Sequence, residues 1–339
     1  MMNKNIIDIE DPGALRGYLE GAGHVLAGAV VEMRRLAGGV SNRTVLVRFA
    51  DGRAWVLKQA LEKLRVAVEW HCSPERIHSE AEGLRWFGAA APAGAVPELI
   101  FEDRVQHILC MQAVAEPHAN WKTQLMEAGP DEGVVRKFGE LLAHLHREGE
   151  RRRDEAAQRF DDLRFFRALR LEPYYAYTGQ QVPALAAFME RLMVECLANR
   201  HTVVHGDYSP KNVLVQAGRI VLIDHEVAHF GDGAFDVGFA LAHLLSKAHH
   251  FPARRAAFRQ AALTFWERYA AVRRVDAAFA RRCVMHGLGC LAARGVGRSP
   301  LEYLDDAARR RQVAVVTAMV LRAPGGVAEM VEGFCGRVG

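Results

Sequence analysis

The 339 residues predict an α+β protein of two lobes, a small antiparallel sheet first and a larger, mainly helical part after it. Three observations lead there. Five short runs rich in β-branched and aromatic residues fall within the first 113 positions, together with a helical pattern that carries Glu80. From 114 to 339 the apolar residues recur mainly at helical spacing. Residues 202–238 interrupt that spacing with short apolar runs that end on acid or amide side chains. The lobes are expected to divide into 1–113 and 114–339, with the crossover near 111–116.

Length suits about two domains, each large enough for its own core. Half of the residues are hydrophobic and a quarter charged, as in ordinary globular proteins. With 44 basic and 40 acidic side chains the net charge is only +4, so composition gives no argument for nucleic acid as a partner. Cys72, Cys110, Cys196, Cys283, Cys290 and Cys335 are scattered without a CxxC pair. That argues against a zinc site or a disulfide framework and for a reducing cytoplasm. The first residues carry acids early and lack a long apolar core, so no signal peptide is expected. No apolar run reaches the roughly 18 residues that a membrane span needs.

In chain order, a helix is expected over 11–26, with Asp11 as its N-cap and Pro12 in its first turn. Strands over 30–36 and 44–49 flank Gly38, Gly39, Ser41 and Asn42, where a glycine pair lets backbone N–H groups approach a polyphosphate or simply makes a hairpin turn. Asp51-Gly52 closes a tight hairpin into a strand over 54–59 that carries Lys58. A helix over 73–88 follows. Glu80, four residues before Leu84, shares the face of Leu84 and Phe87, with Glu82 as the alternative partner for a lysine. Strands over 96–102 and 106–113 complete the sheet, and 115–124 is a linker or a short helix start.

The helical part opens with 133–147, where Val135, Phe138, Leu141, Leu142 and Leu145 form one face. His144 and His146 on this helix lack a third ligand at metal spacing and are expected to be core or surface residues. The charged run 147–155 reads as a solvated loop or helix end. Residues 160–178 combine Arg164, Arg167 and Arg170 with Tyr174, Tyr175 and Tyr177, a mixture that suits a hydroxylated or anionic small molecule and equally suits a packing segment. Helices are expected over 182–197, 239–247, 258–272 and 277–293, and another from Ser299-Pro300 with Glu302 as a capping acid. Between the last two, Arg294 and Arg298 sit in a glycine-containing loop that either faces an acceptor or is exposed.

Chemistry concentrates at 202–238. Asp207 and Asn212 bracket the turn after the first short strand, and Asp224 follows the last. Phosphoryl transfer needs Mg²⁺ on hard oxygen ligands and one carboxylate that orients the attacking hydroxyl and takes its proton. Asp207 fits the carboxylate role; Asn212 and Asp224 fit the metal. Acids and amides are also common turn formers, but the ordered set His205, Asp207, Asn212, Asp224 and Asp236 is harder to reach by chance than any single member. His205 is expected to brace the turn, because Asp207 already supplies the carboxylate.

His205-Gly206-Asp207, Asn212, Asp224-His225-Glu226 and Asp236-Val237-Gly238 together resemble the aminoglycoside phosphotransferase and choline kinase superfamily, with some resemblance to methylthioribose kinase over 224–238. The resemblance implies a protein-kinase-like fold and an ATP-dependent small-molecule kinase with Mg²⁺. It implies that Gly38, Gly39, Ser41 and Asn42 cover the nucleotide phosphates, that Lys58 contacts them and is held by Glu80, and that the crossover at Gln112 and Val114 receives the adenine. Asp236 would brace the loop of Asp207. Glu226 would assist a second ion, contact the acceptor, or be inert. Asp224-His225-Glu226 stands where protein kinases have DFG, no APE-like end is evident, and Lys211 adjoins Asn212 rather than following Asp207 by two residues; these departures argue against a protein substrate.

The acceptor is expected to be a sugar-like or amino-alcohol metabolite that touches Arg170, Tyr174, Glu226 and Arg294. An aminoglycoside is the alternative, although a polycation would want an acidic pocket and these segments are rich in arginine. A nucleotide-binding regulatory module is the alternative of another class, and it would be expected to have lost Asp207, Asn212 or Asp224.

Overall fold

The computed structural model describes residues 6–36, 41–65 and 70–339. Gly38 and Gly39 lie outside that range. Helix α1 (Pro12–Gly21) is capped by Asp11, whose side chain accepts from the Ala14 amide, and it ends five residues before the expected 26. The antiparallel sheet follows as β1 (Val30–Arg35), β2 (Asn42–Phe49), β3 (Ala54–Ala60), then helix α2 (Arg76–Ala90), then β4 (Leu99–Asp103) and β5 (Ile108–Gln112), with spatial order β1-β2-β3-β5-β4. Asp51 and Gly52 close the β2–β3 hairpin, Gly52 at φ 85°.

Alternation along β3 sorts its side chains between two layers. Trp55 and Leu57 join Leu15 and Leu19 of α1, while Ala60, with Val56 packed beside it, joins Ile77, Ala81 and Leu84 of α2. Lys58 shares the parity of Val56 and therefore faces α2. Strand pairing thus delivers the lysine to the helix that carries Glu80.

After β5 the chain leaves the sheet through β6 (Ala119–Asn120), α3 (Trp121–Glu127) and the long amphipathic α4 (Glu132–Arg151). The charged run stays helical through α4 and α5 (Arg153–Arg159), because Arg152 and Arg159 lay their guanidinium groups over Trp86 at 4.2 and 5.4 Å. Residues 160–178 form no helix-loop: α6 (Arg164–Phe166) runs into a π-helix, Arg167–Ala176, and on into α7 (Tyr177–Gln181). Pro173 sits inside the wide turns, which spare it the α-helical hydrogen bond it cannot donate. Its carbonyl accepts from the Arg298 amide instead. A short turn over Pro183–Leu185 precedes α8 (Ala186–Ala198), which starts later than the expected 182.

The central stretch forms β7 (Thr202–Val204), β8 (Val213–Gln216), β9 (Arg219–Leu222) and β10 (His229–Gly231). Strand β10 was not expected; it pairs antiparallel with β7, while β8 pairs with both β6 and β9. Helix α9 (Ala234–His250) starts five residues earlier than expected and is buried almost along its whole length, surrounded by α10 (Arg255–Arg273), α11 (Ala277–Val296), α12 (Asp306–Leu321) and α13 (Val327–Arg337). Helix α12 is capped by Asp305 and not begun at Ser299-Pro300; Glu302 caps nothing and pairs with Lys122. Among the described residues no helix is long and apolar enough to cross a membrane.

Helices α9 and α11 touch at Gly238, where an added Cβ would stand 2.6 Å from both the Gly287 amide and His286 Cβ. Gly238→Ala is therefore expected to cost about 1–3 kcal/mol by overpacking, measured by urea unfolding; a neutral result would show that the helices separate freely. His286 beside it is buried, and its Nδ1 shares a hydrogen bond with the Tyr175 hydroxyl at 2.9 Å. Burial pushes its pKa down to about 4 from 6.5. Its unfolded form therefore binds a proton that the folded form refuses, so this contribution is complete above about pH 6.5 and is lost as pH falls toward 4. It amounts to the order of 3 kcal/mol. His286→Gln should flatten the pH dependence of unfolding free energy between those limits, and an unchanged slope would assign the acid sensitivity elsewhere.

Candidate active site

The loop between β7 and β8 is shaped by backbone before any side chain acts. Gly206 lies at φ 77°, and an added Cβ would meet the Val227 carbonyl at 2.8 Å, so glycine alone fits without strain. Asp236, in the first turn of α9, accepts from the amides of His205 at 2.7 Å and Gly206 at 2.8 Å, with His146 Nε2 at 3.3 Å. His205 braces the turn in turn, its Nδ1 accepting from the Asp207 amide at 3.2 Å. The Tyr208 hydroxyl donates to the Phe138 carbonyl at 2.7 Å and its ring stacks on Phe138, fixing the loop to α4.

Asp207 thereby sits only 2 % exposed. Its Oδ2 meets Arg170 Nη2 at 2.9 Å and Lys211 Nζ at 2.8 Å, while Oδ1 is buried with no partner among the described residues. Burial works against the charge, but Arg170 and then Lys211 hold the carboxyl below its usual range. Asn212 donates from Nδ2 to the Asp207 carbonyl at 2.9 Å, which fixes the amide and leaves its side-chain oxygen for another partner. Lys211, whose place the protein-kinase pattern did not assign, is thus an Asp207 partner.

Asp224 follows β9 with its backbone in the left-handed region, φ 70°, a conformation costly for a residue with a Cβ and frequent at functional sites. Lys58 Nζ lies between two carboxylates, 2.6 Å from Glu80 Oε1 and 2.8 Å from Asp224 Oδ1. Glu80 and not Glu82 is the partner of Lys58; Glu82 pairs with Arg85 and Arg159 at the surface. Burial raises Glu80 toward about 7 in spite of Lys58, whereas against the same burial Lys58 and Lys211 hold Asp224 well below the carboxylate range. The same two carboxylates keep the buried Lys58 protonated.

Glu226 falls on this side of the site and not with the acceptor candidates. Its carboxylate accepts from Asn42 Nδ2 and pairs with Arg76 Nε, both at 3.2 Å, and one oxygen each of Glu80, Asp224 and Glu226 lie within 4.8 Å of one another. Glu80 Oε2 and Asn42 Oδ1 are buried without partners among the described residues. Hard oxygen donors with spare lone pairs, facing a lysine, fit a divalent cation beside phosphate. Arg76 was missed. Fully buried, it donates to the carbonyls of Ser41, Leu61, Cys72 and Ser73 as well as to Glu226, so it joins α2 to the start of β2. Its one sequence signal is its place four residues before Glu80 on the same helical face.

At the crossover, the Gln112 amide is committed to the Glu98 carbonyl at 2.8 Å and that of Ala113 to Ala54 at 2.9 Å. Gln112 can offer a ligand its carbonyl or its exposed side chain, and Val114 lies two residues further on. Arg170, Tyr174 and Arg294 lie together: both guanidinium groups are over the Tyr174 and Phe239 rings, at 5.8 and 5.9 Å for Arg170 and at 5.0 and 5.4 Å for Arg294. Arg294 belongs to the buried end of α11 and not to an exposed loop. Arg164 and Arg167 are exposed on the outer side.

Because Asp236 satisfies two buried amides at once, Asp236→Ala should destabilise the protein by on the order of 3 kcal/mol or more. Urea unfolding measures it, and a loss under about 0.5 kcal/mol, the range of an ordinary surface change, would mean the loop finds other partners.

A protein described as methylthioribose kinase from Cronobacter sakazakii is 26 % identical over 220 residues, covering 56 % of this chain and 53 % of the relative. The chain spans between about half and two thirds of the length of the methylthioribose kinases it matches. Among solved structures, the macrolide 2′-phosphotransferase MphH from Brachybacterium faecium superimposes with a TM-score of 0.53 at 20 % identity, over 89 % of this chain and 97 % of that one. Choline kinase from Cryptosporidium parvum gives 0.58 at 10 % identity, over 92 % and 96 %. These likenesses establish the kinase-like fold. The family model described as "Phosphotransferase enzyme family" matches residues 32–278, from β1 to the first turn of α11, and the chain belongs to that family.

Proposed function

We propose that the protein transfers the γ-phosphoryl group of ATP to a hydroxyl of a small, sugar-like molecule. The observation that carries this reading is the state of Asp207: one oxygen is committed to Arg170 and Lys211 and the other is buried without a partner. An acceptor hydroxyl supplies the missing donor. The O–H bond points its hydrogen at Oδ1 and turns an oxygen lone pair toward the γ-phosphorus. As the acceptor's O–P bond forms and the bond to ADP breaks, the hydroxyl proton passes to Asp207. A carboxylate held below its usual pKa is a weak base, so Asp207 works mainly by orientation and takes the proton late.

Lys58 donates to the triphosphate and Glu80 keeps it in place. Asp224, Glu226 and the Asn212 side-chain oxygen would hold Mg²⁺, which supplies neutralisation of charge on the β- and γ-phosphate oxygens. Ser41 and Asn42 stand at the phosphate end of β2 and, with Gly38 and Gly39, would cover the phosphates; the Val114 amide and Gln112 carbonyl would meet the adenine. The relatives named methylthioribose kinase support a sugar-like acceptor.

Asp207→Asn should lower kcat by about 10²–10⁴-fold while ATP binding is retained. The assay is Mg²⁺-ATP with a pooled metabolite library read by mass spectrometry; a variant as active as the wild type would refute the assignment.

A further inference from the structure

On the acceptor side of Asp207 the protein gathers more positive charge than its own carboxylates balance. Arg170 and Lys211 share Asp207. Arg294 lies on the same ring pair that steadies Arg170, donates to the Ser299 carbonyl at 2.7 Å, and meets His243 Nε2 at 3.0 Å; its own Nε is buried without a partner among the described residues. One turn beyond His243, Lys247 is 1 % exposed. Its hydrogen bond is a long one, 3.4 Å, to the His243 carbonyl of its own helix, and its ammonium lies 5.3 Å from the Tyr303 ring centre. Among the described residues no carboxylate pairs with Lys247, and the Tyr303 hydroxyl is buried without a partner.

These groups converge. The charges that act on His243 are those of Arg294, Lys247, Lys211 and Lys122, and together with burial they keep its imidazole neutral. One carboxylate, Glu302, enters from this side, and it is paired with Lys122. A buried ammonium without a carboxylate paired to it is expensive and has no packing reason to exist where methionine would fit. Burial, with the charges of Lys122 and Arg294 behind it, pushes Lys247 down to about 7 against the pull of Glu302. Such a cation recovers its charge when an anion arrives with a ligand.

We propose that Lys247, Arg294 and the Tyr303 hydroxyl form a recognition site for an acid group, carboxylate or phosphate, carried by the molecule whose hydroxyl meets Asp207. The acceptor is therefore a hydroxylated acid, and neither a neutral sugar nor a polycation. This names the acceptor class within the phosphotransferase reading and rests on it, but anion binding can be measured without transfer.

The test is calorimetric titration of the full chain, with Mg²⁺ and a non-hydrolysable ATP analogue, using glucose, gluconate, glucose 6-phosphate and glucosamine as probes of charge 0, −1, −2 and +1. Gluconate or glucose 6-phosphate should bind at least about ten-fold more tightly than glucose, and glucosamine more weakly; which acid prevails separates carboxylate from phosphate. Lys247→Met, which removes an unpaired buried charge and should fold at least as stably as the wild type, is expected to abolish that preference, and Tyr303→Phe to reduce it. If none of the acids binds more tightly than glucose, or if Lys247→Met keeps the full preference, the proposal is overturned. Acids that bind selectively but are never phosphorylated would uphold the anion site and remove the kinase reading. Transfer to neutral acceptors without preference for acids would do the reverse.

Discussion

The Asp236 carboxylate and the two amides it holds are the constraint on which the rest of the site depends. A loop whose carboxylate keeps one oxygen unbound cannot be fixed by that carboxylate alone. The protein solves this by taking the fixing charge from the first turn of α9, the most deeply buried helix, and aiming it at the amides of His205 and Gly206. Asp207 is then placed by backbone geometry, with Oδ1 left over. A buried ion with a vacant lone pair is tolerable only because Arg170 and Lys211 neutralise the other oxygen.

The same logic runs through the cluster around Lys58. Each buried charge there has a partner drawn from a different element: Lys58 from β3, Glu80 from α2, Asp224 from the end of β9, Glu226 with Arg76. No element can shift without uncovering a charge in low dielectric, and low dielectric makes that costly. The small sheet and the helical part are joined through this network as well as by apolar contact.

Much of this was legible in the chain. Strand alternation and a glycine hairpin predict the sheet, and helical spacing separates Glu80 from Glu82, because both are rules about local geometry. The ordered set from His205 to Asp236 carries the site for a similar reason: short strands fix where their ends lie. What was not legible depends on tertiary placement. Arg76 and Lys247 are residue types that usually face solvent, and only the fold shows them buried. A proline inside 160–178 reads as a helix break, yet wide π turns absorb it. Strand β10 is three residues long and exists because β7 offers it an edge. Helix α12 starts at the Asp305 cap, whose side chain accepts from the Ala308 amide, and not at Ser299-Pro300.

The left-handed backbone at Asp224 carries a consequence for how this protein can change. Glycine at that position would relax the chain, and asparagine tolerates the conformation well. Either would remove the carboxylate that meets Lys58. Backbone relief at residue 224 would therefore leave the buried Lys58 with Glu80 as its remaining ion-pair partner among the described residues, so strain and charge pull in opposite directions there. Residue 224 is a place where the residue the backbone prefers and the residue the neighbouring buried charge needs are not the same.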